Sequence, residues 1–243
     1  MAITHYFLFF TAALLSLVFA ILFIVRKGDI TDPISLILKS IASICFIITS
    51  FAAFLLDASL PTALLVIIGQ VFGLLGDIFL DMKYLYRKDE RPYTYTGFLV
   101  FLVGHLFFVA FMILTYGTTP LIIIISLAVA VIASLLIYFA SEKIAGLVYG
   151  EYKVISTIYM FVLAFTMMFA ILQIFLNNYG FFNITKIIFA IGMVFFMISD
   201  LILAMIYFTP KDAMNKPSFI RLNLAFYYAA QICISVSLVF LLA

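Results

Sequence analysis

The chain has 243 residues, of which 67% are hydrophobic and 10% are charged, and its mean hydropathy is +1.33. A soluble domain of this length could not bury so much apolar surface, so that class of protein is excluded. The formal net charge of +2 is too small to indicate a nucleic-acid-binding protein.

Eight apolar segments, each about 20 residues long, follow one another along the chain. The hydrocarbon core of a membrane holds no water, so the backbone amides must be satisfied within each segment, and helices result. The sequence therefore predicts an all-α fold, a polytopic membrane helical bundle with eight transmembrane helices in one domain, residues 1–243. The predicted spans are 6–25, 36–56, 62–80, 96–114, 119–139, 154–176, 184–208 and 222–242.

Basic residues are distributed unevenly among the connections between these spans. The connections after even-numbered spans hold no Lys or Arg, whereas those after odd-numbered spans hold eleven. By the positive-inside rule, the odd-numbered connections are expected to be cytoplasmic and both termini to lie on the opposite side. The eleven are Arg26, Lys27, Lys83, Arg87, Lys88, Arg91, Lys143, Lys153, Lys211, Lys216 and Arg221.

Several polar residues lie inside the predicted spans at similar depth. Asp77 is near the end of span three and Asp200 is about two turns before the end of span seven, and both spans run toward the cytoplasmic side. An intramembrane Asp or Lys costs about 2.5 to 3.5 kcal/mol on insertion scales, so these groups must pair or line a polar cavity. We expect a cavity open to the cytoplasmic leaflet between spans two, three, four, seven and eight. The other polar residues toward this side of the membrane are Lys39, Tyr159, Tyr227, Tyr228 and Gln231, with His105 nearer the middle.

A short internal similarity accompanies the two aspartates. Residues 72–80 read FGLLGDIFL and residues 195–203 read FFMISDLIL, with a shared Phe, a small residue before Asp, an aliphatic residue after it and a final Leu. Four spans separate the two segments, and both run in the same direction. The similarity suggests two parallel four-helix repeats; chance similarity is the alternative.

The candidate chemistry follows from which side chains are present. His5 and His105 are the two histidines, and His5 lies at the far end of span one, so neither a metal site nor a cofactor is predicted. The chain has no GxSxG, HExxH or phosphate-binding glycine loop. Two carboxyl groups in unequal surroundings can be one protonated and one ionised, which makes an acid and base pair. A serine nucleophile aided by His105, either Ser199 or Ser43, is an alternative.

Motifs along nearly the whole chain resemble those of the YhhN-type lysoplasmalogenase family. In chain order they are Lys39, GLLGDIFL around Asp77, Gly97, Phe101 and His105 in GFLVFLVGH, Ser199 and Asp200 in FMISDLIL, and YYAAQ at residues 227–231. Members commonly have Tyr shortly after the histidine, where this chain has Phe107 and Phe108.

The resemblance implies hydrolysis of the vinyl ether bond of lysoplasmalogen, which gives a fatty aldehyde and a glycerophospho-base. It also implies an integral protein of the bacterial plasma membrane or the endoplasmic reticulum. We expect one aspartate to protonate the alkenyl carbon and the other to stabilise the cation and activate water, with Lys39, Arg87 or Lys88 on the phosphate. The expected catalytic residues are Asp77, Asp200 and His105, and the expected substrate-binding residues are Lys39, Tyr159, Ser199, Tyr227, Tyr228 and Gln231.

Simpler roles are open for several of these residues. Asp77 could serve only as the ion-pair partner of Lys39, and Asp81 is better interpreted as a solvated charge at a helix end than as a catalyst. His105 could be a core histidine bonded to a carbonyl, and the tyrosines and Gln231 could only join helices. The rival function is a proton-coupled carrier of small amphiphiles. Against it, the spans lack a Pro and Gly break at mid-membrane and the polar residues cluster in one half.

Overall fold

The computed structural model describes residues 2–26, 33–56, 61–176, 184–210 and 216–242. Within these ranges, every regular element is a helix. Lys27 and Lys211, which contribute to the predicted charge asymmetry, lie outside the described residues.

The helices match the predicted spans and extend some of them. Their bounds are α1 Ala2–Arg26, α2 Pro33–Leu56, α3 Ala63–Leu85, α4 Glu90–Tyr116, α5 Pro120–Leu135, α6 Ser141–Ala145, α7 Lys153–Phe175, α8 Ile184–Phe208 and α9 Pro217–Ser237. A π-helical turn, Leu136–Ala140, joins α5 to α6, and together they form the fifth span. Eight stretches of the described chain are long and apolar enough to cross a membrane, so the predicted all-α membrane bundle is confirmed.

Local sequence explains the tight connection between α4 and α5. Gly117 adopts a φ of 71°, a conformation that suits glycine, and its N–H bonds the carbonyl of Ile113 to end α4. Thr119 then caps α5 by accepting a hydrogen bond from the N–H of Ile122, and Pro120 follows as the first helical residue. The two spans are therefore joined by only three residues outside a helix.

Small residues let α3 and α4 approach closely. A Cβ added at Gly69 would lie 2.9 Å from the carbonyl oxygen of Gly104, and a Cβ added at Gly104 would lie 2.9 Å from that of Gly69. The ring of Phe101 covers Gly76 in the same way. Contacts between small residues hold helices together where lipid gives no hydrophobic driving force.

The order of helix contacts agrees with the suggested duplication. In the first half, α1 contacts α2, α2 contacts α3 and α3 contacts α4; in the second half, α5 contacts α7, α7 contacts α8 and α8 contacts α9. Between the halves, α4 contacts α7 and α2 contacts α9, as a shift of four spans requires. In contrast, α1 also contacts α9, and the described residues show no comparable contact between α4 and α5. The duplication itself stays a prediction.

Lipid-facing and interior helices differ in their burial. Among the residues of α5, only Ile122, Ser126 and Ala130 are buried, while Ile124 and Ile132 are largely exposed. The buried polar side chains come mainly from α2, α3, α4, α7, α8 and α9. Many of them lie toward the end of the bundle that carries the connections after odd-numbered spans, which we call the basic end.

Candidate active site

A cavity, here called the charged cavity, lies toward the basic end. Side chains from α2, α3, α4, α8 and α9 line it, as the sequence predicted for spans two, three, four, seven and eight. Asp77 and Asp200 both line it, so the two carboxyl groups share one void. Its other polar residues are Lys39, Asp81, Tyr84, Ser199, Tyr207, Asn223 and Tyr227.

Lys39 pairs with two carboxylates on α3. Its Nζ lies 3.1 Å from Oδ1 of Asp77 and 3.1 Å from Oδ2 of Asp81. The two aspartates are four residues apart and so share one helix face. All three residues are buried, Asp81 with only 9% of its surface exposed. The interpretation of Asp81 as a solvated charge is therefore wrong, because α3 continues to Leu85 and places this residue inside the bundle.

A chain of hydrogen bonds extends from Asp77 into the bundle. Tyr227 donates to Oδ2 of Asp77 at 2.6 Å, and Nε2 of Gln231 lies 3.3 Å from the hydroxyl oxygen of Tyr227. Gln70 donates to Oε1 of Gln231 at 3.3 Å and accepts from the hydroxyl of Ser50 at 2.6 Å. These bonds connect α2, α3 and α9, so Tyr227 and Gln231 join helices and also fix Asp77.

Tyr228 anchors the backbone next to the ion pair. Its hydroxyl donates to the carbonyl oxygen of Lys39 at 3.3 Å, and its ring packs edge-on against Phe23. It does not line the charged cavity. Tyr228 therefore helps to orient Lys39, and its expected role in substrate binding has no support from its position.

Asp200 belongs to a second group of side chains. The hydroxyl of Tyr159 on α7 donates to Oδ2 of Asp200. Nε2 of His105 lies 3.5 Å from the same hydroxyl, and the His105 ring packs against Phe196 at 4.7 Å. Within the described chain, Nδ1 of His105 has no hydrogen-bond partner, so the carbonyl-bonded alternative has no support there. His105 is absent from the cavity wall and touches this group through Tyr159.

Ser199 lies in the cavity wall, bonded to Asn223. Nδ2 of Asn223 donates to the carbonyl oxygen of Ser199 at 2.6 Å and to its hydroxyl at 3.0 Å. In the part of the chain that the structure describes, neither Ser199 nor Ser43 hydrogen-bonds His105. A serine nucleophile therefore lacks its base. The sequence interpretation missed Asn223, although its spacing of four residues before Tyr227 placed it on the same face of α9.

A second, smaller cavity adjoins the first, and its wall is mainly hydrophobic; we call it the apolar cavity. It shares Asp200, Leu203 and Tyr207 with the charged cavity. Its remaining lining residues are Phe98, Ile137, Tyr149, Ser156, Tyr159, Met160, Ala204 and Phe208. Asp200 therefore lies where the charged cavity meets the apolar cavity, and its partner Tyr159 lines the apolar cavity.

Some buried polar residues lie toward the other end of the bundle. Gln173 donates to the carbonyl oxygen of Gly117 at 2.9 Å, and Nζ of Lys186 lies 5.1 Å from the centroid of the Tyr116 ring. The expectation that the polar residues cluster in one half is thus only partly correct. The sequence pattern does not single out Lys186, because it lies near the start of a long apolar run, where a charge is typical of a helix end.

The pairing of Lys39 gives a stability prediction. Lys39→Met leaves two buried carboxyl groups without their cation, and breaking a buried ion pair costs about 3 to 5 kcal/mol. We expect a clearly lower midpoint of thermal unfolding in detergent, and substantial recovery when Asp77→Asn and Asp81→Asn are added. Lys143→Met, at an exposed position, is the matched control. A Lys39→Met protein as stable as wild type would contradict this role.

The comparisons with known proteins agree with these motifs. The family model of the YhhN family matches residues 34–238, most of the chain. No curated protein and no solved structure matches significantly. The matched range starts at the second residue of α2 and ends just after α9, so it contains every residue of the two cavities. The chain belongs to the YhhN family.

Proposed function

We propose that this protein is a lysoplasmalogenase-type hydrolase that cleaves the vinyl ether bond of lysoplasmalogen. The observation that carries the proposal is the position of Asp200 between the charged cavity and the apolar cavity. In lysoplasmalogen, the vinyl ether lies at the junction between a polar glycerophospho-base and a hydrocarbon chain. Membership of the YhhN family supports the same reaction.

The two cavities divide polar from apolar lining, as a lipid with a single chain divides its headgroup from its tail. Phe98, Met160 and Phe208 offer an apolar wall for the alkenyl chain, while the glycerol lies among the polar groups of the charged cavity. In the described part of the chain, one apolar cavity adjoins the charged cavity at Asp200, so we expect a substrate with a single chain, a lysolipid.

The bonding of the two aspartates favours different roles. Both oxygens of Asp77 accept hydrogen bonds, from Lys39 and from Tyr227, which is the pattern of a carboxylate. Oδ2 of Asp200 accepts from Tyr159, and its other oxygen has no hydrogen bond among the described residues. We assign the general acid to Asp200, and assign cation stabilisation and activation of water to Asp77.

The reaction then needs only a proton and a water molecule. Asp200 transfers its proton to the alkenyl carbon farther from the ether oxygen, and the ether carbon becomes an oxocarbenium ion. Water adds to that carbon and gives up a proton to the carboxylates, forming a hemiacetal. The hemiacetal collapses to the aldehyde, and the glycerol oxygen leaves with a proton.

Packed aromatic rings favour a hydrolase over the carrier. Phe108, Phe111 and Phe189 are each at most 2% exposed, and their rings contact one another between His105 and Tyr116. They fill the interior beyond His105 with apolar surface on the α4 and α8 side of the bundle. A carrier requires a polar path across both halves of the membrane, and on this side the interior is apolar.

The roles of the two aspartates predict the effect of their amides. Asp77→Asn and Asp200→Asn should each lower kcat for aldehyde release from lysoplasmalogen by about 100-fold or more, because general acid–base catalysis contributes about that much. Asp89→Asn, in the exposed turn before α4, should behave as wild type. Size-exclusion profiles show whether each variant is folded.

Two results would oppose this account. Wild-type turnover in both folded amide variants would refute the mechanism. Failure of the wild-type protein to release aldehyde from any vinyl ether lipid would refute the activity.

The apolar cavity predicts selection by chain length. Ala204→Phe places a ring in that cavity and should raise KM for long alkenyl chains several-fold, with little change for short ones. Ala128→Phe makes the same change on the exposed face of α5 and is the control. Equal losses on short and long chains, or none on either, would show that the chain lies elsewhere.

A further inference from the structure

Lys83 is a buried cation that the proposed chemistry leaves unused. It lies in the last turn of α3 with only 6% of its surface exposed, although the sequence placed it in a loop. Its Nζ is 3.2 Å from the centroid of the Tyr207 ring and 5.0 Å from that of Tyr84. Among the described residues, no carboxylate lies within 4.0 Å of its Nζ. The negative charges of Glu90 and Asp81 attract its ammonium group only over longer distances.

A third cavity, of about 240 Å³, opens beside Lys83 at the basic end. We call it the vestibule, and its chemically distinctive residues are Lys83, Glu90, Tyr149, Tyr152 and Tyr207. It shares Tyr207 with the charged cavity, and shares Tyr149, Tyr207 and Phe208 with the apolar cavity. The three cavities therefore meet around one tyrosine.

We propose that the vestibule binds the zwitterionic phospho-base of a lysophospholipid, with the phosphate on Lys83 and the cationic base beside Glu90. This inference rests on the proposed function, because it places the rest of the same substrate. A buried ammonium without a close carboxylate carries a desolvation penalty, which a phosphate would offset.

The opposite charge in the vestibule indicates a zwitterion and not a simple anion. Glu151 also lines it, but that carboxylate pairs with Arg91 at 2.9 Å, which leaves Glu90 to meet a cation. The rings of Tyr149 and Tyr152 line the same space, and aromatic faces attract ammonium groups. A free inorganic phosphate would instead be repelled by Glu90.

The helix geometry agrees with the dimensions of the lipid. Tyr207 is seven residues after Asp200, which places it two turns and about 10 Å farther along the same face of α8. Nζ of Lys83 contacts the ring of Tyr207 from α3. Five bonds separate the vinyl ether oxygen from phosphorus, a reach of about 6 Å when extended. The side chains of Asp200 and Lys83 cover the remaining distance.

The test measures binding without catalysis. The probe is an alkyl ether lysophosphatidylethanolamine, which has no vinyl ether bond to cleave, presented to the full chain in lipid nanodiscs. An alkylglycerol of the same chain length lacks the phospho-base, and inorganic phosphate lacks the lipid. Each is titrated against wild type, Lys83→Met, Lys83→Gln and the exposed control Lys143→Met.

The proposal expects both Lys83 variants to bind the lysophospholipid at least tenfold more weakly, while alkylglycerol binding and the Lys143→Met protein are unchanged. Equal lysophospholipid affinity in wild type and in either folded Lys83 variant would overturn it. Phosphate binding that depends on Lys83, without such dependence for the lysophospholipid, would also overturn it.

Failure of this proposal is distinguishable from failure of the proposed function. Lys83-dependent lysophospholipid binding without aldehyde release from lysoplasmalogen would support the headgroup site and refute the hydrolase. Aldehyde release at wild-type KM by a Lys83 variant would support the hydrolase and overturn the headgroup site.

Discussion

The structure depends on the cost of placing ionised groups in hydrocarbon. One ammonium, Lys39, lies between Asp77 and Asp81, and this trio connects α2 with α3. Hydrogen bonds from Tyr227 and Gln231 then connect it to α9. Since each of these groups would be unfavourable alone in lipid, their mutual satisfaction requires the helices that carry them to meet. The same need for mutual satisfaction of charges places the charged cavity at the basic end.

We propose that the reaction takes place where the charged cavity meets the apolar cavity. The close packing of α3 against α4 and the aromatic rings around Phe108 fill the bundle beyond the charged cavity on the α4 and α8 side. Asp200, held by Tyr159, lies at the boundary of the charged cavity with the apolar cavity. A lipid is itself divided into a polar and an apolar part, so such a boundary positions the bond that joins the two parts. Binding and chemistry are then served by one arrangement, without a nucleophile.

The sequence was sufficient for the fold and for the central carboxylates, because both follow from hydropathy and from the cost of buried charge. It was insufficient where the position of a side chain depends on the exact end of a helix, or where a cavity is formed by segments far apart in the chain. The sequence predicts Asp81 and Lys83 outside the bundle, but α3 extends to Leu85 and buries both side chains. Composition alone locates helix ends poorly. The apolar cavity needs Ile137 from a π-helical turn and Tyr149 from a connection, and no local pattern brings these together with Asp200.

The most direct measurement of the central claim follows the proton. If an acid in the charged cavity protonates the alkenyl carbon, lysoplasmalogen cleaved in D₂O should give an aldehyde with one deuterium on the carbon next to the carbonyl. Immediate reduction to the alcohol preserves the label for mass spectrometry, and a sample without enzyme corrects for exchange. The account predicts one deuterium per product molecule, in a single configuration at that carbon, which NMR of a chiral ester of the alcohol measures. Equal amounts of the two configurations would contradict delivery of the proton by a fixed acid and indicate an enol released to solvent.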